Sequence, residues 1–411
     1  MALQLTVHRG TREIGGNCIE ISHPAGCRLV LDAGRPLDAP EGATGLLPAS
    51  LDRARPATVL ISHPHQDHYG LLSEIPDDWL VWTGEASARL IKITGEIASK
   101  AEGRSLKTWS SRSGSFAIGP FEVTPILTDH SAFDAYMLLI ESEGKRILYT
   151  GDFRRHGRKS DLVDAMIASP PHSVDVLVME GTNLGTDKPV RAESDLETDF
   201  AELLAKTSGR LFVSWSGQNV DRTVTLYRAA KRMGRTLVID LYTADVLDRI
   251  AAGTRLPCAG FPNLKVVVTG SLAANYRARG RDDFVERMAK HGVAARAIPK
   301  DAVLMLRRAL IRDYERNGVA PTAIDTFNFS MWKGYLETAY YAVPMEWCRS
   351  RGAAVAYIHT SGHASPKDLR AFAAAVAPKV VVPVHGSNWD REAVGFENVR
   401  RLADGEAMTV L

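Results

Sequence analysis

The segment HPHQDH, residues 63–68, constrains this chain more than any other feature. It places four potential metal ligands, His63, His65, Asp67 and His68, directly after the apolar, strand-like segment TVLIS. Imidazole nitrogens suit zinc and a carboxylate can take a second ion, so this spacing can serve two metal ions. We therefore expect a fold that closes around this loop and supplies the missing ligands from distant strands.

The missing ligands are predicted at the ends of later strands, at His130 in LTDH, Asp152 in YTGD and His385 in PVHG. One ion is assigned to His63, His65 and His130, and the other to Asp67, His68 and His385, with Asp152 bridging. A water between two cations about 3.5–4 Å apart deprotonates near neutral pH. The set predicts a hydrolase with two divalent ions, zinc by preference and manganese as the alternative.

Asp32, in LVLDAG, has no metal ion left to bind in this assignment. It either orients a ligand histidine through a hydrogen bond or is an ordinary turn residue. The residues alone leave both interpretations open.

The chain changes its rhythm twice. Residues 1–205 alternate short strands with turns, including a hairpin turn at residues 23–26 and a helical stretch from Gly84 to about Lys100. From residue 206 to 352 strands alternate with helices, which is typical of a parallel sheet flanked by helices. Residues 353–411 return to strands that end in histidines, so the middle region is predicted to be an inserted α/β domain.

The composition allows two or more compact units and requires no particular partner. The 411 residues, 45% of them hydrophobic, are too many for one ordinary core. Lys plus Arg number 50 against 48 Asp plus Glu, so the net charge of +2 demands no electrostatic partner. The four scattered cysteines indicate reduced thiols. Neither a basic leader nor an apolar run of about 18 residues is present, so we expect a cytoplasmic protein without a membrane segment.

The ligand pattern resembles the metallo-β-lactamase superfamily, whose hallmark is an HxHxDH loop followed by a lone His, a lone Asp and a final His. An α/β domain between the lone Asp and the final His resembles its β-CASP branch, which contains nucleic-acid nucleases such as ribonuclease J. The resemblance implies an α/β fold, namely an αββα sandwich with an inserted α/β domain of mainly parallel sheet.

Three shorter motifs carry the resemblance to the β-CASP branch. Its acidic motif looks like Glu180-Gly181-Thr182, its second motif looks like His363 in HTSGHA, and its third is His385 in VPVHG. A histidine at the third motif is typical of RNA-processing members, so RNA is favoured over DNA by analogy. The resemblance implies catalytic roles for Asp67, Glu180 and His363.

The chain also departs from ribonuclease J. Because it stops at Leu411, we expect it to lack the extra C-terminal domain of that family, and the residues after Thr269-Gly270-Ser271 do not continue the likeness. A homodimer is therefore left open.

Phosphodiester hydrolysis needs charge neutralisation, an activated water and a proton for the leaving group. His363 is expected to supply that proton or to bind a non-bridging oxygen, because no metal ion requires it as a ligand. Two turns are expected to hold phosphates, one opening the helix near Val220 and one preceding His363. The predicted contacts are Ser216, Asn219, Arg222, His359, Ser361 and Gly362. For each turn, simple helix capping is an equally good interpretation.

Two groups in the inserted region have both an ordinary and an RNA-binding interpretation. Interleaved acids favour an ordinary solvated surface over a nucleic-acid stripe for Arg277, Arg279, Arg281, Arg307, Arg308, Arg312 and Arg316. For Phe329, Trp332 and Tyr335, core packing is favoured over base stacking.

Together these features favour a ribonuclease that uses metal-activated hydroxide in a cleft between two domains. A DNA nuclease of the same branch and a thioester or lactone hydrolase with the same ligands are the enzymatic alternatives. A nucleic-acid-binding scaffold is the non-enzymatic one. The sequence leaves exonuclease and endonuclease action open.

Overall fold

The computed structural model describes residues 2–97, 104–186 and 190–411. The strands are β1 (Gln4–Arg9), β2 (Cys18–Ser22), β3 (Arg28–Leu31), β4 (Thr58–Ile61), β5 (Leu80–Gly84), β6 (Leu106–Trp109), β7 (Phe116–Ile118), β8 (Phe121–Leu127), β9 (Tyr136–Ser142), β10 (Lys145–Tyr149), β11 (Val176–Met179), β12 (Leu211–Ser214), β13 (Leu237–Asp240), β14 (Leu264–Val267), β15 (Gly292–Val293), β16 (Val303–Met305), β17 (Thr326–Phe329), β18 (Ala354–Tyr357), β19 (Val380–Pro383) and β20 (Ala407–Thr409).

The α-helices are α1 (Gln66–Tyr69), α2 (Glu85–Ile97), α3 (Ser160–Ala168), α4 (Glu193–Lys206), α5 (Val220–Arg232), α6 (Leu241–Ile250), α7 (Gly270–Arg277), α8 (Asp282–Lys290), α9 (Arg308–Arg316), α10 (Ala339–Arg349), α11 (Pro366–Val376) and α12 (Trp389–Glu392). Short 3₁₀ turns cover Leu72–Glu74, Ala295–Ala297 and Lys333–Glu337. The predicted helix from Gly84 to about Lys100 corresponds to α2, and Lys100 itself lies outside the described residues.

Two compact units divide the chain. The first comprises Met1–Lys92, Ala101–Val190 and Gly362–Leu411, and the second comprises Ile93–Lys100 and Arg191–Ser361. These borders differ from the expected ones at 205/206 and 352/353. Helix α4, which ends at residue 206, packs against α5, and strand β18 pairs with β17, so both belong with the second unit.

The first unit is built on two sheets that face each other. Their strand orders are β20-β1-β2-β3-β4-β5-β6 and β19-β11-β10-β9-β8-β7. The apolar core between them contains Leu5, Ile19 and Leu60 from one sheet and Leu138 and Val178 from the other, all fully buried. Full burial of one such side chain contributes about 1.5–3 kcal/mol, so this shared face is the main source of stability in the unit.

Helices cover the outer faces of the two sheets. Val163 of α3 and Phe372 of α11 pack on the outer side of the second sheet. Ile91 of α2 packs with Val59 and Val81 on the outer side of the first. The four layers confirm the predicted αββα sandwich.

The second unit contains one sheet with the strand order β15-β14-β13-β16-β12-β17-β18. Every described pairing in it is parallel. Strands β12 and β13 are buried along their whole length, as expected when a parallel sheet is covered on both faces. Leu310 of α9 and Trp347 of α10 pack on the sheet, and α5 and α6 contact β13. The predicted α/β insertion is confirmed.

Two further expectations concern membrane segments and cysteines. Among the helices in the described parts of the chain, none has the length and apolar character needed to cross a membrane. Cys18, Cys27, Cys258 and Cys348 are all free, in agreement with the interpretation as reduced thiols.

A buried ion cluster joins the first three strands of the first unit. Arg28 Nη2 lies 2.6 Å from Glu20 Oε2, and His8 Nε2 lies 3.2 Å from the same oxygen. Burial disfavours the charged carboxylate, but the hydrogen bonds from His8 and Arg28 and the guanidinium charge outweigh it and lower the pKa of Glu20 to about 2. Glu20 therefore stabilises the folded state above its unfolded pKa of 4.5, and this contribution is lost as the pH falls towards 2.

We expect Glu20→Gln to lower the urea midpoint at pH 7, because the substitution leaves the buried Arg28 without its counter-ion. The difference from the wild type should shrink steadily below pH 4.5, where ionised Glu20 loses its advantage in the wild type. Urea titrations between pH 7 and pH 3 measure this difference. Glu41→Gln, at an exposed position, is the control and should leave the midpoint unchanged. A constant difference at all pH values would contradict the assignment.

Candidate metal centre

Strand direction explains how the predicted ligands meet. Strands β10, β11 and β19 are parallel neighbours, and β8 runs in the same direction because two antiparallel pairings connect it to β10 through β9. Their carboxyl ends therefore lie at one edge of the second sheet. The side chains that follow these ends are His130 after β8, Asp152 after β10, Glu180 after β11 and His385 after β19.

The HPHQDH loop leaves β4 and forms the single helical turn α1. The carbonyl oxygen of Asp67 accepts a hydrogen bond from Asn17 N at 3.2 Å, and that of His68 accepts one from Ala33 N at 2.8 Å. A Cβ atom at Gly34 would lie 1.8 Å from the Asp67 carbonyl oxygen, so only glycine fits there. The LDAG segment after β3 thus fixes the position of the loop.

Potential metal-donor atoms lie within 4.8 Å of one another in three groups of side chains, the third of which is Asp152, Glu180 and His363. The first group is His63, His65 and His130, and the second is Asp67, His68, Asp152 and His385. These are the two sets assigned from the sequence. In the first, His65 Nδ1 lies 3.2 Å from both His63 Nε2 and His130 Nε2.

Asp152 lies between the two groups. Its Oδ2 is 3.7 Å from His63 Nε2 in the first group, and 3.1 Å from His68 Nε2 and 3.6 Å from His385 Nε2 in the second. This is the position that a bridging carboxylate requires. The bridge itself remains a prediction.

The residues fit a pair of divalent cations by their chemistry and by their unmet hydrogen bonding. Imidazole nitrogens with two carboxylates suit zinc or manganese. Among the described residues, the buried atoms His385 Nε2 and Asp152 Oδ1 have no hydrogen-bond partner. Such atoms are costly to bury, and a cation would satisfy both.

Burial and mutual repulsion keep most of the cluster in the neutral form that binds metals. Burial, followed by the neighbouring His68 and His130, lowers the pKa of His63 well below its usual range. Burial and adjacent histidines do the same to the pKa of His385. For His68 burial acts in the same direction, but Asp152 and Asp32 outweigh it and raise its pKa.

Asp32 makes the hydrogen bond expected of a residue that orients a ligand. Its Oδ2 lies 2.7 Å from His68 Nδ1, and its two oxygens accept from Ser62 N at 2.7 Å and Ser62 Oγ at 2.8 Å. Asp32 and His68 are both fully buried. Of the two interpretations that the sequence left open, the geometry favours the orienting role.

His363 and Glu180 form a pair beside the metal-ligand groups. His363 Nδ1 lies 3.1 Å from Glu180 Oε2 and 3.7 Å from Asp152 Oδ2. Glu180 is fully buried, and its Oε1 accepts a hydrogen bond from Phe153 N at 3.0 Å. Burial alone would lower the pKa of His363, but Glu180 and Asp152 raise it to about 9. The carboxylates of Glu180 and Asp152 therefore favour the protonated imidazole.

The border between the two units falls within the turn that precedes His363. Gly362 belongs to the first unit, where a Cβ atom would lie 2.6 Å from Ser131 Oγ and 3.2 Å from His130 Cε1. His359 and Ser361 are grouped with the second unit. Their contacts with phosphate remain predictions.

The other predicted phosphate turn opens α5. Ser216 is exposed, and Asn219 caps the helix by accepting a hydrogen bond from Arg222 N at 3.0 Å. The expectation for Arg222 needs correction. Its guanidinium is fully buried, lies 2.7 Å from Glu193 Oε1 and donates to the Ser330 carbonyl at 3.0 Å, so it is committed to the interior.

The arginines of the second unit agree with the ordinary interpretation where their contacts are described. Arg277, Arg281 and Arg307 pair with Asp282, Asp245 and Asp240, while Arg279 donates to the carbonyl of Glu96.

The aromatic residues around position 330 divide differently. Phe329 is buried as expected, but Trp332 and Tyr335 are 60% and 40% exposed, so core packing was wrong for these two. They follow β17, Trp332 just before and Tyr335 within a short 3₁₀ turn that contributes no buried side chain.

Sequence reasoning missed Asn17, Ser62 and Tyr149. Each hydrogen-bonds to a predicted ligand or to Asp32, and each is buried. Their amide and hydroxyl groups are common in proteins, so residue type alone gave no signal. Only their positions beside ligand-bearing segments, in GGNC, LISH and YTGD, could have drawn attention to them.

Comparison with known proteins agrees with this geometry. Residues 11–198 match the family profile described as "Metallo-beta-lactamase superfamily", and residues 350–391 match one described as "Zn-dependent metallo-hydrolase RNA specificity domain". Over residues 11–198 the chain is similar to the metallo-β-lactamase superfamily. Within that superfamily it resembles the ribonuclease J-like β-CASP branch.

Curated proteins similar to this chain include ribonuclease J proteins. That of Helicobacter pylori (strain B128) is 24% identical, over 94% of this chain and 56% of the relative. That of Mycobacterium tuberculosis (strain CDC 1551 / Oshkosh) is 26% identical, over 94% of this chain and 69% of the relative. The chain thus spans little more than half the length of the Helicobacter protein.

A solved structure supports the fold independently. The crystal structure of a protein of unknown function from Enterococcus faecalis V583 aligns with a TM-score of 0.80 at 18% identity and covers 100% of both chains. At this identity the likeness shows the fold alone.

We expect Arg222→Ala to lower the free energy of unfolding by about 3–5 kcal/mol, because it removes the guanidinium that lies 2.7 Å from the buried carboxylate of Glu193. Urea titration of the full chain followed by tryptophan fluorescence measures the effect. Arg228→Ala on the same helix is the matched control, since its side chain is 57% exposed and the change should cost little. An unchanged midpoint together with weaker RNA binding would restore Arg222 as a phosphate contact.

Proposed function

We propose that this protein is a metal-dependent ribonuclease that hydrolyses phosphodiester bonds. The observation that carries the proposal is the His363–Glu180 pair, which stands beside two ligand groups that Asp152 connects. A proton donor adjacent to a two-cation site is the arrangement that phosphodiester hydrolysis needs. The similarity to ribonuclease J proteins and the RNA-specificity profile over residues 350–391 support RNA as the substrate.

His63, His65 and His130 would hold one cation, and Asp67, His68 and His385 the other, with Asp152 between them. When bound, such a pair of cations neutralises phosphate charge and makes a water molecule acidic enough to attack near neutral pH. The protein's contribution is to fix these donors in place, five of the seven being buried. Neutral His63 and His385 offer lone pairs without first losing a proton.

His363 serves as the proton donor in this proposal. Its Nδ1 faces Glu180, and Nε2 is the nitrogen proposed to protonate the leaving ribose oxygen. A hydrogen bond from Phe153 N fixes the Glu180 carboxylate, which in turn orients the imidazole. The negative charge of Glu180 favours the protonated form of His363. Asp67 contributes its carboxylate to the second ligand group, 3.8 Å from His385 Nε2.

RNA is proposed over DNA, with the turns at Ser216 and Asn219 and at His359, Ser361 and Gly362 as the candidate phosphate contacts. A protein distinguishes RNA from DNA through contacts with the 2′-hydroxyl group. A ribonuclease of this kind should therefore lose rate on a DNA strand of the same sequence.

We expect protein loaded with zinc or manganese to degrade 5′-monophosphorylated single-stranded RNA faster than matched DNA. Asp67→Ala should abolish cleavage, because it removes a carboxylate from the second ligand group. End-labelled RNA and DNA, each with 5′-phosphate or 5′-hydroxyl ends, resolved by product length, measure substrate and direction together. Mononucleotides released from the 5′ end would indicate an exonuclease, and internal fragments an endonuclease.

The exposed Asp161→Ala is the control and should cleave as the wild type does. Equal activity in Asp67→Ala would refute metal-dependent cleavage at this site. Turnover of thioesters or lactones without any cleavage of nucleic acid would point to a small-molecule hydrolase instead.

We expect His363→Ala to lower kcat on RNA by about 10²–10⁴-fold while leaving metal content unchanged, because the residue donates a proton and binds no ion. Glu180→Gln should lower kcat in the same direction, since it removes the charge that holds the proton on His363. Metal content by elemental analysis separates this loss from a loss of ions. His172→Ala, at an exposed position, is the control. Loss of a bound ion in His363→Ala would reassign the residue as a ligand.

A further inference from the structure

A continuous chain of buried hydrogen bonds joins two ligand histidines of the second group. His385 Nδ1 lies 3.1 Å from Asn17 Oδ1, and Asn17 Nδ2 donates to Tyr149 Oη at 3.1 Å. Tyr149 Oη donates to Asp32 Oδ2 at 2.6 Å, and the same oxygen lies 2.7 Å from His68 Nδ1. All five side chains are at most 1% exposed, so bulk water does not compete for these hydrogen bonds.

The carboxylate of Asp32 sets the direction of every bond in this chain. An ionised carboxylate can only accept hydrogen bonds, so Tyr149 must donate its single hydroxyl proton to Asp32. Tyr149 can then only accept from Asn17, which fixes Nδ2 of Asn17 towards Tyr149 and Oδ1 towards His385. An amide oxygen only accepts as well. His385 therefore carries its proton on Nδ1.

The same logic applies directly to His68, whose Nδ1 faces Asp32. With a proton on Nδ1, a neutral imidazole has its lone pair on Nε2. His68 Nε2 and His385 Nε2 are the atoms that face Asp152. One buried carboxylate thus determines which nitrogen two histidines offer to a cation.

We propose that Asn17 and Tyr149 are positioning residues that transmit the charge of Asp32 to His385 and so prepare the second ligand group for its ion. The proposal rests on the proposed metal centre but not on the substrate, because it concerns metal binding alone. Residues that hydrogen-bond metal ligands commonly change metal affinity by about 10–100-fold when altered.

The first ligand group does not depend on Asn17 or Tyr149. The Ser62 hydroxyl donates its one proton to Asp32 Oδ2 at 2.8 Å, so it can only accept from His63 Nδ1 at 3.1 Å. His130 Nδ1 has no hydrogen-bond partner among the described residues. Loss of the Tyr149 hydroxyl should therefore weaken the ion of the second group and spare the ion of the first.

A competing contact makes the inference testable. Gly15 N also approaches His385 Nδ1, at 3.3 Å, and it would require the opposite tautomer because a backbone amide only donates. The Asn17 contact is shorter at 3.1 Å and is held by the direction of the chain. Removing the Tyr149 hydroxyl frees Asn17 to rotate and lets the Gly15 contact compete.

The experiment compares Tyr149→Phe with the wild type in zinc titrations against a chelator of known affinity. We expect the wild type to bind two ions per chain, and the variant to bind one of them at least about tenfold more weakly. Tyr136→Phe is the matched control, since Tyr136 is also buried but donates to Asp134 at 2.9 Å. The control should retain both affinities. Equal zinc affinities in Tyr149→Phe and the wild type would overturn the proposal.

Nitrogen-15 NMR of histidine-labelled, metal-free protein provides a second readout. We expect His385 in the wild type to show the Nδ1-protonated tautomer, and Tyr149→Phe to show a mixture or the Nε2-protonated form. A purely structural role for Tyr149 would lower stability without moving this signal. An unchanged tautomer in the variant, or fewer than two zinc sites in the wild type, would overturn the proposal. Failure to cleave RNA with both zinc sites intact would count against the proposed function alone.

Discussion

The buried carboxylate of Asp152 is the point on which the rest of the first unit depends. One oxygen lies within 3.7 Å of four histidines, which are His63 after β4, His68 in α1, His363, and His385 after β19. Seven ionisable or polar ligands packed together are costly in a protein interior unless their charges and lone pairs are compensated. The αββα sandwich meets this demand by bringing strand ends of one sheet to the loops of the other. The fold thus offsets the free-energy cost of burying this polar cluster.

Much of this arrangement could be predicted from the sequence because its signals are local. HPHQDH keeps four ligands together by covalent proximity, and His130, Asp152 and His385 each follow an apolar strand. Parallel strands bring their carboxyl ends to one edge of a sheet, so the three segments that end in these residues could be expected to meet there. Alternating strands and helices likewise identified the parallel sheet of the second unit before its strand order was known.

Other features could not be predicted because they depend on tertiary contacts. The residues around Asn219 at the start of α5 predicted a phosphate-binding turn that includes Arg222. In the structure Arg222 instead forms an ion pair with the buried Glu193. Trp332 and Tyr335 are large aromatic residues, which usually pack in a core, yet both are exposed at the short 3₁₀ turn after β17. Asn17 and Tyr149 are separated by more than a hundred residues in sequence, and only the packing of the two sheets brings them into hydrogen-bond contact.

Strand order in the first unit also has a consequence for the time at which the metal centre can form. Strand β20 pairs with β1, and β19, which leads to His385, pairs with β11. Both late strands are synthesised only after the whole second unit. Contacts between such distant segments form slowly because a long loop must close first. A nascent chain therefore carries the HPHQDH loop long before it carries a complete ligand set, and the full set is assembled only among the last events of folding.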